Sequence, residues 1–326
     1  MIPAIWLCQY LSLTIGDFFM SSQSEIRVEI TQRIVDAIKA RGLPPWRKNW
    51  RSDNNCGMPT NVASKRAYTG VNPLILNCSS MRHNFSSRWW GTVKQWNNLG
   101  GRVMRRPDDV KPGTWGSRIC YWSKTTNQKI DAEGKKSEET FFFLKTYHVF
   151  CIDQVEGENL DHLRAGNAPL SQEQIEERQE TAERVIEAIP ASIRHGGDRA
   201  YYSPKHDYIQ MPHRSSFESI GAYYETAFHE LGHWSESRTN WDREQGYAIG
   251  ELRAELTACF ICQELGIEGA NFDQSCSYLK GWLESLQNDP SFIFKASSAA
   301  SKAVDYLLSF SRTAEEEKLI EGELVA

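Results

Sequence analysis

The chain lacks any apolar run long enough to cross a bilayer. Its most apolar stretch, MIPAIWLCQYLSLTIGDFFM at residues 1–20, is interrupted by Gln9, Thr14, Gly16 and Asp17. A membrane helix needs about 20 predominantly apolar residues. No Lys or Arg precedes Arg27, so the positive start of a secretory signal is missing as well. Residues 1–20 are therefore expected to be a leader, disordered or an over-extended start, with folded sequence from residue 21. Cysteine is sparse and irregular: Cys8, Cys56, Cys78, Cys120, Cys151, Cys259, Cys262 and Cys276 form no framework. That spacing excludes a disulfide-stapled scaffold and suits reduced thiols in a cytoplasmic protein. Cys259 and Cys262 are spaced as a metal or redox pair but lie in a helical stretch, where buried core cysteines are expected. No internal repeat or low-complexity tract is present.

Acidic residues are scarce in one half and basic residues in the other. Residues 21–150 hold 22 Lys+Arg against 10 Asp+Glu, and residues 151–326 hold 15 against 31. The overall charge of −5 hides this segregation. It predicts two domains with different partners, the basic one suited to a polyanion.

Periodicity predicts a helix over 24–40, closed by Gly42 and Pro44-Pro45. Short strands are expected at 118–122 and 140–152, with the polar stretch 124–140 as an exposed loop between them. Residues 155–168 are polar, carry two glycines and read as a linker. Ser171 with Gln174 forms a capping box that opens a helix to Ile189. A strand pair at 200–203 and 208–211 precedes helices over 216–236 and 250–265. Two further helices follow from residue 275, then a frayed acidic tail.

The run HELGH carries the chemistry. His229 and His233 are one helical turn apart, so both imidazoles can reach one ion. Glu230 points beside that ion, where a general base must sit to take a proton from bound water. The motif alone arises by chance in about one chain in a hundred at average composition. The surrounding helical periodicity supports it, and Gly232 suits close packing of the helix. A catalytic zinc needs a third protein ligand. Glu251 and Glu255 share a face of the next helix; Glu251 is expected as the ligand, with Glu255 outside it as orienting partner or alternative ligand. A solvated face is the competing reading, since Arg253 lies between them. His206 and His213 flank the strand pair and are expected to be surface residues. The cofactor expected is zinc, or another divalent ion such as manganese.

The basic half holds seven tryptophans, several beside cations, as in PPWRKNWR (44–51) and SRWWGTVKQW (87–96). Cations neutralise phosphates and aromatic faces stack on unpaired bases at ~1–3 kcal/mol each, the combination that single-stranded nucleic acid requires. Each tryptophan taken singly is better explained as core. The candidate contacts are Trp46, Arg47, Lys48, Trp50, Lys65, Arg66, Tyr68, Arg88, Trp89, Trp90 and Lys94.

Several ordered runs resemble one family. PPWRKNW, PTNVASKRAYTGVNPLIL (59–76), WGTVKQW with GGRV (100–103) and GTWGSRICYW are similar to the N-terminal domain of ArdC-type antirestriction proteins, relatives of TraC-type primases of plasmid conjugation. RAYYSP (199–204), DYIQMP (207–212), FESIGAYYETAFHELGHW and ELRAELTACF resemble the zincin-like domain that follows it there. The resemblance implies an α+β protein: a single-stranded-DNA-binding domain at 21–154, a linker at 155–170 and a gluzincin-like metallopeptidase domain at 171–326. It implies His229 and His233 as metal ligands and Glu230 as base. Protection of incoming DNA from host restriction is implied too, in the cytoplasm, with transfer to the recipient alongside plasmid DNA. Single-stranded DNA and a host restriction component or other protein substrate are the partners expected, and no membrane. Two other readings stay open: a protease delivered by its DNA domain, and a passive coat on single strands with a structural metal.

Overall fold

Helix α1 (Ile15–Arg41) starts ahead of the expected Ser24 and stops where Gly42 takes φ +62, a left-handed conformation that costs glycine no Cβ clash. Its inner face, Ile30, Ile34, Val35 and Ile38, is buried. The computed structural model describes residues 15–42, 44–47, 53–130, 136–165, 170–268 and 276–312. Residues 1–14 of the leader, the candidate contacts Lys48 and Trp50, and the acidic tail from 313 lie outside the described residues.

In the first half, β1 (Thr60–Asn61) runs parallel to β2 (Trp89–Gly91). Helix α2 (Asn72–His83) lies between them in sequence, and α3 (Val93–Asn98) follows behind a Thr92–Gln95 capping box. Then come β3 (Arg102–Val103), β4 (Ser117–Ile130) and β5 (Lys136–Cys151). The four-stranded sheet has the order β1-β2-β5-β4. The stretch 124–140, expected as a loop, is a correction: β4 and β5 stay paired from Ser117↔Val149 out to Ile130↔Lys136. The ladder extends past the core because each added pair satisfies its own backbone groups, whatever the polarity of the side chains.

The expected linker is a second correction. β6 (Val155–Glu156) pairs with β3, and Val155, Leu160 and Leu163 are buried in the core of the first half. Polar composition concealed three anchoring side chains. Residues 166–169 lie outside the described residues.

The second half opens with α4 (Gln172–Ala188), capped as expected by Ser171 and Gln174. A three-stranded sheet follows, ordered β7-β9-β8, from β7 (Ser192–His195), β8 (Tyr201–Ser203) and β9 (Tyr208–Met211). Here β7 was not foreseen, because Ser-Ile-Arg-His shows too little alternation to signal a strand. Helices α5 (Ile220–Trp234), α6 (Tyr247–Leu265), α7 (Cys276–Asn288) and α8 (Phe292–Ser309) complete the fold.

Two hydrophobic cores hold it together. One lies within the basic half, around Trp90, Trp96, Val149 and Ile152. The larger one is shared: Ile34, Trp46 and Leu74 from the first half pack with Phe228, Leu256, Trp282 and Leu307 from the second. The halves differ in charge yet are joined by apolar burial, the dominant favourable term in folding. Helix α6 sits at the centre, with every residue from Ile249 to Gln263 buried. The solvated-face reading of Glu251 and Glu255 is thereby excluded. Cys259 and Cys262 are buried free thiols on the same helix. Among the described residues no helix is long and apolar enough to cross a membrane.

Candidate metal centre

Helix α5 begins at Ser219, whose hydroxyl accepts from the Ala222 N–H at 3.1 Å. Tyr223, Tyr224, Ala227, Phe228, Leu231 and Trp234 face the core, which turns His229 and His233 toward a cleft. Helix α6 crosses close behind. A Cβ at Gly232 would lie 3.1 Å from Ala254 Cα, so glycine permits the approach that brings Glu251 to the histidines.

Arg253, fully buried, fixes the crossing. Its Nη1 donates to the Gly232 carbonyl at 2.7 Å, and its Nη2 to Ser235 Oγ at 2.8 Å and Thr239 Oγ1 at 2.9 Å. A cation at the C-terminal end of α5 also complements the helix dipole.

One donor atom from each of His229, His233 and Glu251 makes a triangle with every side under 4.8 Å. Nε2 of His229 and Nε2 of His233 are 3.2 Å apart, and the Glu251 carboxylate oxygens lie 3.7 and 3.6 Å from them. Three such atoms within 4.8 Å of one another match what tetrahedral coordination at ~2.0–2.2 Å demands of two imidazoles and a carboxylate. The donor set therefore fits zinc or another borderline divalent ion.

Electrostatics fit as well. Burial raises the Glu230 carboxyl above its ordinary range, although the two histidines and the Tyr202 backbone N–H pull it back in part. Burial opposes protonation of His233, but its bonds to Glu236 and Glu251 prevail and push it up to about 9. Glu251 moves the other way: burial opposes its charge, yet the bonds to His229 and His233 hold it well below the usual carboxylate range.

Two carboxylates lie outside the triangle. Glu255 faces the far nitrogen of His229, with Oε2 3.9 Å from Nδ1. This places it behind the ring rather than among the donors. Glu236 is the residue that sequence reasoning missed: its Oε1 accepts from His233 Nδ1–H at 2.9 Å, and its Oε2 from Arg243 Nε at 2.7 Å. Such a bond fixes the tautomer and ring orientation of a metal-binding histidine. Its i+3 spacing from His233 was the available signal.

The cleft has a volume of about 580 Å³ and is walled by Tyr201, Tyr202, Trp241, Tyr247 and the donor residues. Strand β8 is an edge strand of its sheet and borders this space. His206 and His213 are exposed and do not line it.

The basic half departs from expectation. Trp46 and Trp90 are 1% and 0% exposed, so neither ring can stack on a base. Arg47 points inward, its Nε donating to Glu255 Oε1 at 2.5 Å, its Nη2 to Glu255 Oε2 at 2.8 Å and its Nη1 to Glu225. These three are corrections: the shared core recruits the segment 44–47, with Trp46 buried in it, and Trp90 is buried in the separate core of the basic half. Tyr68 is half-buried, accepts from Asn61 Nδ2 at 3.0 Å, and has its phenol pushed up to about 12 by burial. Lys65 and Lys94 are exposed, and Arg66 is half-buried. Trp89 is half-buried beneath two cations, Lys65 Nζ at 4.5 Å and Arg88 Cζ at 5.5 Å from the ring centroid. Arg88 also donates to Thr60 Oγ1 at 2.9 Å. Among the described residues, the well-exposed aromatics of this half are instead on the β4–β5 hairpin: Tyr121 at 61%, Trp122 at 45% and Tyr147 at 46%.

Comparison with known proteins agrees with this architecture. Residues 24–150 match the N-terminal domain of the anti-restriction factor ArdC, and residues 180–299 a zincin-like metallopeptidase. The metal-free crystal structure of the antirestriction ArdC protein from plasmid R388 aligns with a TM-score of 0.67 at 34% identity, covering 87% of this chain and 97% of that one. Its Mn(II)-bound structure aligns at 0.65 and 32% identity, covering 88% and 98%. The DNA primase TraC of Escherichia coli is 33% identical over 322 residues, which cover 93% of this chain but 21% of the primase. This chain thus spans about a fifth of that relative. An uncharacterized protein of Sinorhizobium fredii, y4eC, is 32% identical over 296 residues, covering 87% of this chain and 92% of its own length. The chain belongs to the ArdC antirestriction family, its first half corresponding to the ArdC N-terminal domain and its second to the zincin-like metallopeptidase domain.

Proposed function

We propose that this protein binds single-stranded DNA and protects incoming DNA from host restriction, and that it carries a divalent ion on His229, His233 and Glu251. The observation that carries the metal half is the triangle of donors beside Glu230 at an open cleft. A bound ion would supply Lewis acidity and lower the pKa of its water. Glu230 stands beside the donors, where its carboxylate could accept a proton, and Glu236 holds His233 in orientation. The DNA half is supported by its positive balance and by exposed Lys65 and Lys94. Lys65, Arg66, Arg88, Trp89 and Lys94 remain contact residues in this proposal, joined by Tyr121, Trp122 and Tyr147.

The test joins metal analysis of the purified protein, binding of labelled single strands and duplexes, and entry of unmodified plasmid into a restricting host. Single-strand affinity is expected to exceed duplex affinity and to fall steeply with salt. Equal preference for duplex, or plasmid entry indifferent to the protein, would sink the proposal.

A second reading, a protease brought to DNA by its basic half, is favoured by edge strand β8 beside the cleft. An exposed sheet edge can pair with an extended peptide through main-chain bonds.

Metal uptake is expected to depend on pH. Burial opposes the charge of His233, but its bonds to Glu236 and Glu251 push it up to about 9, above its ordinary value of about 6.5. Below pH 9 an ion must displace its proton, so affinity for Mn(II) should rise up to about tenfold per pH unit and level off above 9. For the metal-free fold the sign reverses. Protonated His233 contributes its stabilisation fully below about 6.5, as long as Glu236 and Glu251 stay charged, and loses it as pH rises through 9. Calorimetric titration across pH 6–10 checks the first expectation, and a flat affinity would contradict it.

A further inference from the structure

Helices α5 and α6 carry the three metal donors, and one turn below those donors a residue of the basic half clamps the same two helices together. Glu225 precedes His229 by four residues on α5, and Glu255 follows Glu251 by four on α6. The guanidinium of Arg47 enters between them. It forks onto both oxygens of Glu255 and also donates to Glu225. The side chains of Arg47, Glu225 and Glu255 are only 11%, 7% and 6% exposed.

The approach of Arg47 is itself fixed. Trp46 is buried against Trp282 at 5.9 Å between ring centroids, and Gln263 Nε2 donates to the Trp46 carbonyl at 3.0 Å. The Met58 N–H reaches the Gln263 carbonyl at 3.3 Å. Trp46 and Met58 are thus both bound to Gln263 of α6. Glu255, the carboxylate that Arg47 holds, lies 3.9 Å from His229 Nδ1, the ring nitrogen turned away from the other donors.

We propose that Arg47 is a positioning residue for the metal centre: by fixing Glu255 and tying α5 to α6, it sets the orientation of His229 from the basic half of the chain. This rests on the reading that His229, His233 and Glu251 hold a divalent ion. Two physical consequences follow. Without the fork, Glu255 can rotate toward the donors or repel Glu225 and Glu251, and the triangle loses its shape. A planar fork cannot be replaced by a point charge, so lysine at this position keeps the charge and loses the geometry. Partners outside the coordination shell typically alter metal affinity by 10–100-fold.

The test uses the full chain. Mn(II) affinity is measured by the electron paramagnetic resonance signal of the free ion, and Zn(II) affinity by competition with a chromophoric chelator. Thermal midpoints are recorded on the metal-free proteins. Arg47→Lys is expected to weaken both ions by about 10–100-fold. The triple variant Arg47→Met/Glu225→Gln/Glu255→Gln removes the buried charges together, which restores fold stability in many proteins. It is expected to recover the thermal midpoint without recovering metal affinity. Wild-type affinity in Arg47→Lys, or in a triple variant of native stability, would overturn the positioning role. A wild-type chain that takes up neither ion would overturn the metal reading itself, and this inference with it.

Discussion

Glu230→Gln is expected to keep the ion and the fold while lowering peptide hydrolysis by about 10²–10⁴-fold, the range that one positioned proton acceptor contributes. The amide is nearly isosteric, and its carbonyl oxygen can still accept from the Tyr202 N–H, which bonds the carboxylate in the native protein. What it cannot do is take a proton. Burial holds the native carboxyl above its ordinary range, closer to the basicity that the task needs. Metal content, hydrolysis of a peptide library and plasmid protection should be measured on one preparation. Hydrolysis at the wild-type rate would remove Glu230 from the role of base. Lost hydrolysis with full protection would exclude proteolysis as the mechanism of antirestriction, whereas loss of both would favour it.

Arg253→Met is expected to be the most destabilising single change near the site, by roughly 3–5 kcal/mol. Leaving buried neutral acceptors without their donor costs about 1–3 kcal/mol each. The native guanidinium, pulled down to about 10 by burial, gives three bonds to the Gly232 carbonyl, Ser235 and Thr239. Methionine fills similar volume and leaves all three acceptors without that donor. Against a typical total of 5–15 kcal/mol, the loss is a large fraction. Urea unfolding of the metal-free protein measures it. A shift below about 1 kcal/mol would show that the helix crossing does not depend on Arg253.

The contrast between Arg253 and Glu251 shows what can be read from sequence. Glu251 is legible because metal chemistry demands a third donor, and an i, i+4 pair on the next helix supplies candidates. Capping at Ser171 and the close approach at Gly232 are legible for the same reason: each is a local requirement. Arg253 and Arg47 are not. A buried arginine and an exposed one look alike in a linear chain, and Arg47 finds Glu225 and Glu255 at separations of 178 and 208 residues. The run PPWRKNWR juxtaposes aromatics and cations as a DNA-binding segment would, yet Trp46 and Arg47 serve the interior. The β4–β5 hairpin was underestimated because alternation fades where a ladder projects beyond the core. The packed stretch 155–165 was missed because Val155, Leu160 and Leu163 are too widely spaced to form a pattern.

The shared core has a consequence for how the chain could be divided. Trp46, Ile34 and Leu74 belong to the first half but are buried among Phe228, Leu256 and Trp282 of the second. A break engineered between Arg164 and Ser171 would therefore yield two complementing fragments rather than two independent modules. Each alone would expose an apolar face and self-associate, and mixing them would reconstitute the parent. Split in this way, the protein would report the meeting of its own halves.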